Sequence, residues 1–296
     1  MAKKVLITGG RGFIAKRLAS FLSERGYSVI SYERDVAEKF EVEGPIDVVC
    51  HFAAKTFIGY CAEHPAETMK INFGGTLNAL ECAREKKAKF IFASAAAVYG
   101  VSNEGIREVD TPKPNSAYGL SKYLAEQLSE LYAKTLGVPS IVLRLFNVYG
   151  PGQKPEFLIP TLIQNVAKGE TVNLRSPKSV RDYIFIDDVL SLVELCVSRD
   201  LADSFNVFNI ASGKGYSVKE VADLIMSVSG KSVPLVLDEK ASANVFTANI
   251  DNVKKVFGWE PKHSLTEGLR KTIDWWKQNQ VFANYMLEDE TVKKKS

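Results

Sequence analysis

A glycine-rich turn between two apolar patterns constrains this chain more than any other feature. The segment 4-KVLIT-8 predicts a strand, and the turn 8-TGGRGFIA-15 that follows it opens a helical pattern. Gly9 and Gly12 permit a tight turn and a close approach of the backbone to a pyrophosphate at a helix N-terminus. Ala15 is small enough for close packing of helix and strand. This strand–turn–helix context predicts a dinucleotide-binding site.

Short apolar strands alternate with amphipathic helices over most of the remaining chain. The further predicted strands are 28–32, 47–52, 89–93, 139–145 and 205–210, and the predicted helices lie near 65–86, 116–136, 157–168 and 187–199. Alternation of this kind is typical of a parallel sheet that is covered on both faces. The sequence therefore predicts an α/β fold, with a Rossmann-type doubly wound parallel sheet that binds its ligand beyond the carboxyl ends of the strands.

The pattern changes beyond Gly150, where prolines interrupt it and the segments become shorter. We expect a dinucleotide-binding domain over 1–149, with a returning segment at about 183–212. A smaller C-terminal substrate-binding lobe is predicted over 150–182 and 213–285. The Lys-rich end, 286–296, is interpreted as a solvated tail.

The composition excludes several classes of protein. A net charge of +3 over 296 residues gives no support for nucleic-acid binding. No apolar run reaches the roughly 20 residues needed to cross a bilayer, so we expect no membrane association and a cytoplasmic protein. The four cysteines lack CxxC spacing and the three histidines are far apart, so the sequence predicts neither a disulfide framework nor a metal site.

The end of the second predicted strand, 32-YERD-35, bears on the choice of dinucleotide. Glu33 stands where a carboxylate can accept a hydrogen bond from the ribose 2′-hydroxyl, and it would repel a 2′-phosphate. This favours NAD. The adjacent Arg34 could instead bind the 2′-phosphate of NADP, which remains the alternative.

Tyr118 and Lys122 in 117-AYGLSKYLAEQ-127 are four residues apart on a helical pattern, so they share one face. A tyrosine with a free pKa of ~10 is a poor base. A nearby ammonium group and the charge of an oxidised nicotinamide would lower that pKa. The pair predicts proton transfer to and from a hydroxyl group that exchanges hydride with the cofactor.

With these motifs in place, the chain resembles the extended short-chain dehydrogenases/reductases, in the NAD-dependent group of nucleotide-sugar epimerases and dehydratases. The matching segments are TGGRGFIA, 51-HFAA-54, 72-NFGGT-76, the VYG of 98–100, YGLSK, 144-RLFNVYGPGQ-153, 181-RDYIFIDDV-189 and 257-FGWEPKHSLTEGL-269. The resemblance implies a nucleoside-diphosphate sugar as substrate and a homodimer formed through the helices near 65–86 and 116–136.

The expected ligand contacts divide into two sets. Besides the glycines, Glu33, Arg34 and the catalytic pair, the expected cofactor contacts are Phe13, Ile14, Phe52, Ala53, Ala54 and Lys55. By the resemblance, Asn147 and Arg181 face the nucleotide sugar. A guanidinium group at 181 also suits a diphosphate. Tyr60 is a further candidate for contact with the sugar.

The segment 91-IFASAAAVYG-100 departs from the family. Ala95 stands where relatives carry Ser or Thr, and Ala96 and Ala97 stand where the 4,6-dehydratases carry an Asp-Glu pair. We therefore expect no dehydratase activity. The lost hydroxyl could be replaced by Ser94 if the backbone turns there, it could be dispensable, or Ala95 could be an engineered substitution.

Two further departures concern the ligands. About a dozen residues separate Glu33 from Asp47, so the usual third strand and its helix must be shortened. Val245 stands near the position of an arginine that many relatives use on the diphosphate.

Three functions follow from these residues. The first is a 4-epimerase of the UDP-sugar type, which would remove hydride from C4 and return it to the other face. The second is a 4-ketoreductase acting on a nucleotide-linked 4-keto-6-deoxysugar. The third is a catalytically impaired NAD(P)-binding regulatory protein.

Overall fold

The computed structural model describes residues 2–39, 41–100, 103–238 and 240–279. The predicted tail at 286–296 lies outside the described residues, as does the end of the predicted second lobe. In the described ranges, every predicted strand of the main sheet is present with ends within three residues of those expected.

The strands in chain order are β1 (Lys4–Thr8), β2 (Ser28–Tyr32), β3 (Val48–His51), β4 (Lys89–Ala95), β5 (Ser140–Leu145), β6 (Asn147–Tyr149), β7 (Val172–Leu174), β8 (Val180–Phe185), β9 (Phe205–Ile210), β10 (Gly215–Ser217), β11 (Leu235–Leu237) and β12 (Val245–Phe246). The helices are α1 (Phe13–Ser23), α2 (Ile58–Glu63), α3 (Pro65–Met69), α4 (Gly75–Lys86), α5 (Ala117–Thr135), α6 (Leu158–Lys168), α7 (Ile186–Ser198), α8 (Val218–Ser229), α9 (Asp251–Phe257) and α10 (Leu265–Gln278). A π-helical turn, Lys70–Gly74, joins α3 to α4, and a 3₁₀ turn, Ala96–Val98, follows β4.

The main sheet has six parallel strands in the order β2-β1-β3-β4-β5-β9. Its order reverses at β1, where β1 lies between β2 and β3, so a crevice opens beyond Thr8 and His51. Alternate side chains of the sheet enter two separate cores. Val5 and Ile7 pack with α1 and α7 on one face, and Leu6 packs with α4 and α5 on the other. The predicted doubly wound fold is confirmed.

The sheet ends at β2. Among residues 33–39 and 41–47 the structure has neither a strand nor a helix, so the element expected to be shortened is missing from the described part. This segment is held against α4 instead, because Val36 is buried beside Gly75 and its carbonyl accepts a hydrogen bond from Asn78 Nδ2 at 2.8 Å.

Apart from α7 and β9, the chain beyond Gly150 builds small sheets beside the main one, together with β6. Strand β8 pairs with β6, β10 and β12, and β7 pairs with β11. Helices α6, α8 and α10 pack on these strands, and their buried side chains join the core that covers one face of the main sheet. The two parts are therefore continuous through apolar contacts.

Candidate active site

The glycine turn connects β1 to α1 as the sequence predicts. Gly9 has a φ of +77°, and a Cβ there would lie 2.8 Å from the backbone of Ala53. The Gly12 amide donates to the Gly9 carbonyl at 2.7 Å, and Gly12 is the residue that precedes α1. Only glycine at position 9 lets the segment after β3 approach this closely. The amides at the start of α1 are thereby placed at the crevice, which suits a pyrophosphate.

His51, at the end of β3, holds the two sides of the crevice together. Its Nδ1 lies 2.7 Å from Thr8 Oγ1, which accepts a bond from the Ala53 amide at 3.4 Å. The imidazole is fully buried near the rings of Phe90 and Phe92. Burial, followed by the charge of Lys122, lowers the pKa of His51 to about 3. The ring is neutral at physiological pH and acts as a structural link.

Glu33 and Arg34 follow β2 and are exposed. Arg11, in the glycine turn, lies opposite Glu33, with its Nε 3.4 Å from Glu33 Oε2. The sequence analysis did not single out Arg11, although it occupies a variable position of a recognised turn. Glu33, which is expected to bear on the choice of dinucleotide, thus has Arg11 opposite it and Arg34 next to it in sequence.

The catalytic pair lies at the start of α5, where Ser116 Oγ accepts a hydrogen bond from the Gly119 amide at 3.1 Å. Lys122 is buried, and its Nζ donates to the Ala93 carbonyl at 2.7 Å. It also lies 4.8 Å from the centre of the Phe92 ring. Burial lowers the pKa of Lys122 to about 7, although Glu126 acts in the opposite direction. The lysine is thus positioned by strand β4.

The expected lowering of the Tyr118 pKa is not produced by the chain itself. Burial raises the pKa of Tyr118 above its ordinary value, with a further contribution from Cys61. The Lys122 amine donates to the Ala93 carbonyl. Tyr118 is therefore a protonated phenol in this state of the protein.

The three alanines form the end of β4 and the following 3₁₀ turn. Ala95 and Ala96 are buried. The first turn of α5 lies directly on this turn, since a Cβ on Gly119 would be 2.5 Å from the Ala97 carbonyl oxygen. The absence of a side chain at Gly119 thus sets how closely the helix that carries Tyr118 approaches the alanines.

Ser94 does not supply the hydroxyl that Ala95 lacks. Its Oγ donates to Glu126 Oε1 within the interior, where Ser94 is 2% exposed. Strand alternation directs it to the side opposite Ala95. We therefore omit Ser94 from the site.

Glu126 belongs to a buried polar network that the sequence analysis did not predict. Arg144 on β5 donates to Glu126 from Nε and Nη2 and to Tyr99 Oη from Nη1. Tyr99 in turn donates to Asn209 Oδ1 at 2.7 Å on β9. Arg144 and Tyr99 both occur in motifs quoted from the sequence, and those motifs were the signal from which the network could have been found. The network ties α5 to three strands of the sheet.

Asn72 is a second residue that was missed, although it begins the motif NFGGT. It lies in the π-helical turn, where its Oδ1 accepts from the Lys55 amide at 2.7 Å. Its Nδ2 donates to the Lys55 carbonyl and to Ser121 Oγ, each at 3.0 Å. Asn72 therefore joins the loop after β3 to α5.

A cleft of about 320 Å³ lies between the crevice and the small sheets. Of the expected ligand contacts it gathers Gly12, Phe13, Ile14, Phe52, Ala54, Lys122 and Asn147. Other residues on its wall include Thr56, Ala93, Gln153, Phe157 and Tyr183. The wall is mostly apolar with a few convergent polar groups, which is the usual character of a small-molecule site.

The remaining expected contacts are not part of this wall. Arg181 is half-buried, with Nη1 bonded to Asn244 Oδ1 at 2.5 Å, and burial lowers its pKa. Tyr60 donates to Glu67 at 2.5 Å, and Lys55 Nζ lies 3.5 Å from the same carboxylate. Tyr60 and Lys55 are thus engaged with Glu67 near the surface rather than with the cleft.

The described residues contain no group of three or more His, Cys, Asp or Glu side chains arranged to hold a metal ion. No helix in the described ranges is long and apolar enough to cross a membrane.

The fold and the site together define a dinucleotide-dependent enzyme of the short-chain dehydrogenase/reductase type. Gly12 of the turn for a pyrophosphate and Lys122 of the Tyr–Lys pair line one cleft, and an acidic residue follows β2. The chain belongs to the NAD dependent epimerase/dehydratase family, whose model matches residues 5–211.

Individual relatives match over almost the full length. A UDP-glucose 4-epimerase of Corynebacterium glutamicum is 30% identical, covering 88% of this chain and 92% of that protein. A GDP-6-deoxy-D-mannose reductase of Pseudomonas aeruginosa is 28% identical, covering 93% of this chain and 98% of that protein. The crystal structure of a UDP-glucose 4-epimerase of Thermotoga maritima with UDP-glucose has a TM-score of 0.85 at 28% identity, covering 94% of this chain and 99% of that one.

Proposed function

We propose that this protein is an NAD-dependent 4-epimerase of a nucleoside-diphosphate hexose. The observation that carries the proposal is that Lys122, one turn along α5 from Tyr118, lines a cleft that also contains Gly12 of the dinucleotide turn. Similarity to 4-epimerases over nearly the whole chain supports it.

The residues fit NAD and have distinct roles in this proposal. Gly9 and Gly12 place backbone amides against the pyrophosphate, and Glu33 accepts a hydrogen bond from a ribose hydroxyl. Bound NAD would accept the C4 hydride and return it to the opposite face of the sugar. Tyr118 exchanges a proton with the oxygen on C4, and Lys122 is placed by the Ala93 carbonyl to act beside it.

We propose that the protein is not a 4,6-dehydratase. Water elimination across C5 and C6 needs an acid and a base, and positions 96 and 97 carry methyl groups. Among the described residues that line the cleft there is no Asp or Glu. The nearby Glu126 is bonded to Arg144 and Ser94, so it is not free to act on a substrate.

A 4-ketoreductase is the second candidate. Arg11 and Arg34 flank Glu33 and could bind a 2′-phosphate, which would suit a reductase that consumes NADPH. The similarity to a GDP-6-deoxy-D-mannose reductase also favours it.

We also propose that the chain is divided into two domains, one formed by 1–149 with 183–212 and the other by 150–182 with 213–285. We propose a location in the cytoplasm. A homodimer through α4 and α5 is supported by exposed leucines on those helices, Leu77, Leu120 and Leu131. Sedimentation velocity tests it, because Leu120→Lys with Leu131→Lys should leave a folded monomer.

Turnover of a panel of nucleotide sugars tests the function. An epimerase converts substrate with no net change in absorbance of the reduced nicotinamide, whereas a reductase consumes one equivalent per product. Tyr118→Phe should abolish turnover with retention of NAD binding. If the unmodified protein turns over no member of the panel but binds NAD, a regulatory protein is the correct assignment.

A further inference from the structure

Two residues that line the cleft each hold a buried polar atom that has no hydrogen-bond partner among the described residues. The two atoms are Tyr183 Oη and Gln153 Oε1. Tyr183 as a whole is 5% exposed. Because buried polar atoms in folded proteins are nearly always paired, such atoms on the wall of a ligand cleft indicate groups that a ligand completes.

The orientation of Gln153 is fixed by its other end. Its Nε2 donates to the Val148 carbonyl at 2.9 Å. The amide nitrogen must face that carbonyl, so Oε1 is the atom left without a partner. Since an amide oxygen only accepts, its partner must offer an N–H or O–H group.

Tyr183 occupies a defined place on β8. It is the register partner of Asn147 on β6, so the two side chains share one face of the small sheet. Arg181, two residues earlier on β8, lies on the same face but outside the wall of the cleft. Tyr183 and Gln153 instead share the cleft with Lys122 and Ala93, which mark its reacting end.

We propose that Tyr183 and Gln153 hold hydroxyl groups of the hexose and so determine which sugar is accepted. The proposal rests on the function proposed above and adds two specificity residues to it. Burial raises the pKa of Tyr183 to about 12, so its hydroxyl stays protonated and can both donate and accept at neutral pH. A site that bonds a substrate hydroxyl in this way rejects analogues that lack it.

Calorimetric titrations in saturating NAD test the proposal. The two probes are the tightest-binding member of a panel of UDP- and GDP-hexoses and the free nucleoside diphosphate that it contains. Tyr183→Phe and Gln153→Met should each weaken binding of the nucleotide sugar about five- to tenfold, as expected for one neutral hydrogen bond. Neither substitution should change the affinity for the nucleoside diphosphate.

Tyr149→Phe is the matched control, because the Tyr149 hydroxyl already donates to the Leu265 carbonyl at 3.2 Å. Loss of the Tyr149 hydroxyl should lower the free energy of unfolding but leave the affinity for the nucleotide sugar unchanged. Equal weakening of both probes by Tyr183→Phe, or no weakening of either, would overturn the proposal. Failure of the proposed function is recognised separately, because the wild-type protein would then epimerise no nucleotide sugar of the panel.

Discussion

Arg144 and Glu126 form a bidentate ion pair inside the protein. Glu126 Oε2 lies 2.7 Å from Arg144 Nη2 and 3.2 Å from Arg144 Nε. Their side chains are 6% and 1% exposed. A pair this deeply buried is costly to break, because the remaining charge is left without a partner.

Glu126→Ala should therefore lower the free energy of unfolding by about 3–5 kcal/mol in urea denaturation. Glu130 is the matched control, since it lies one turn further along α5 and pairs with Lys134 at 2.5 Å on the surface. Glu130→Ala should cost less than about 1 kcal/mol. Comparable losses in the two variants would contradict the importance of the buried pair.

His51 should make the protein sensitive to acid. The pKa is about 3 in the folded protein and ~6.5 in the unfolded chain, so the unfolded chain binds the proton first as pH falls. The contribution of His51 to the free energy of unfolding is fully present above about pH 6.5 and is lost progressively towards pH 3. Its slope reaches about 1.4 kcal/mol per pH unit.

Urea denaturation between pH 7 and 4 measures this effect. The difference in stability between wild type and His51→Gln should shrink as pH falls. The matched control is His64→Gln, a substitution at an exposed histidine. Parallel pH profiles for wild type and His51→Gln would show that His51 is not the group responsible.

Restoring a hydroxyl at position 95 should accelerate turnover. One well-placed hydrogen bond to the reacting oxygen is worth about a hundredfold in rate when it is removed from other enzymes. Ala95→Ser should therefore raise kcat by about ten- to a hundredfold, measured by coupled assay. Ala96→Ser controls for the added atom and should bring no gain. An unchanged kcat for Ala95→Ser would mean that the reaction proceeds without this bond.

Glu33 should control the choice between NAD and NADP. Removing the carboxylate in Glu33→Ala deletes the proposed hydrogen bond to the ribose and leaves Arg11 without its ion-pair partner, next to the adjacent Arg34 in sequence. We expect NAD to bind about tenfold more weakly and NADP more tightly, as measured by fluorescence titration. Glu38→Ala, an exposed carboxylate in the same segment, should change neither affinity. Weaker binding of both dinucleotides by the same factor would contradict a role in discrimination.

Local sequence patterns predicted the main sheet and the helix that carries Tyr118, because the spacing of apolar residues and the residues of the turns are both encoded within a few positions. The expected cofactor contacts near Gly12 and Phe52 also line the cleft. The partners of buried charges could not be predicted, since Glu126 and Arg144 are 18 residues apart in sequence and meet only through packing of α5 on β5. Arg11 was missed for the same reason, because Glu33 reaches it across the turn.

Sequence spacing placed Tyr118 and Lys122 on one helix face, but the burial that raises the pKa of Tyr118 in the chain itself depends on tertiary packing. The lowering expected beside oxidised nicotinamide stays a prediction. Only coordinates show that Lys122 turns towards the Ala93 carbonyl.

The contact of Gly119 with the alanine turn has an evolutionary consequence. What Gly119 meets is the backbone oxygen of Ala97, an atom that every residue type possesses. The contact between this helix and the turn is therefore kept whichever side chain stands at position 97. A lineage built on this scaffold can exchange that side chain without moving the helix that carries Tyr118.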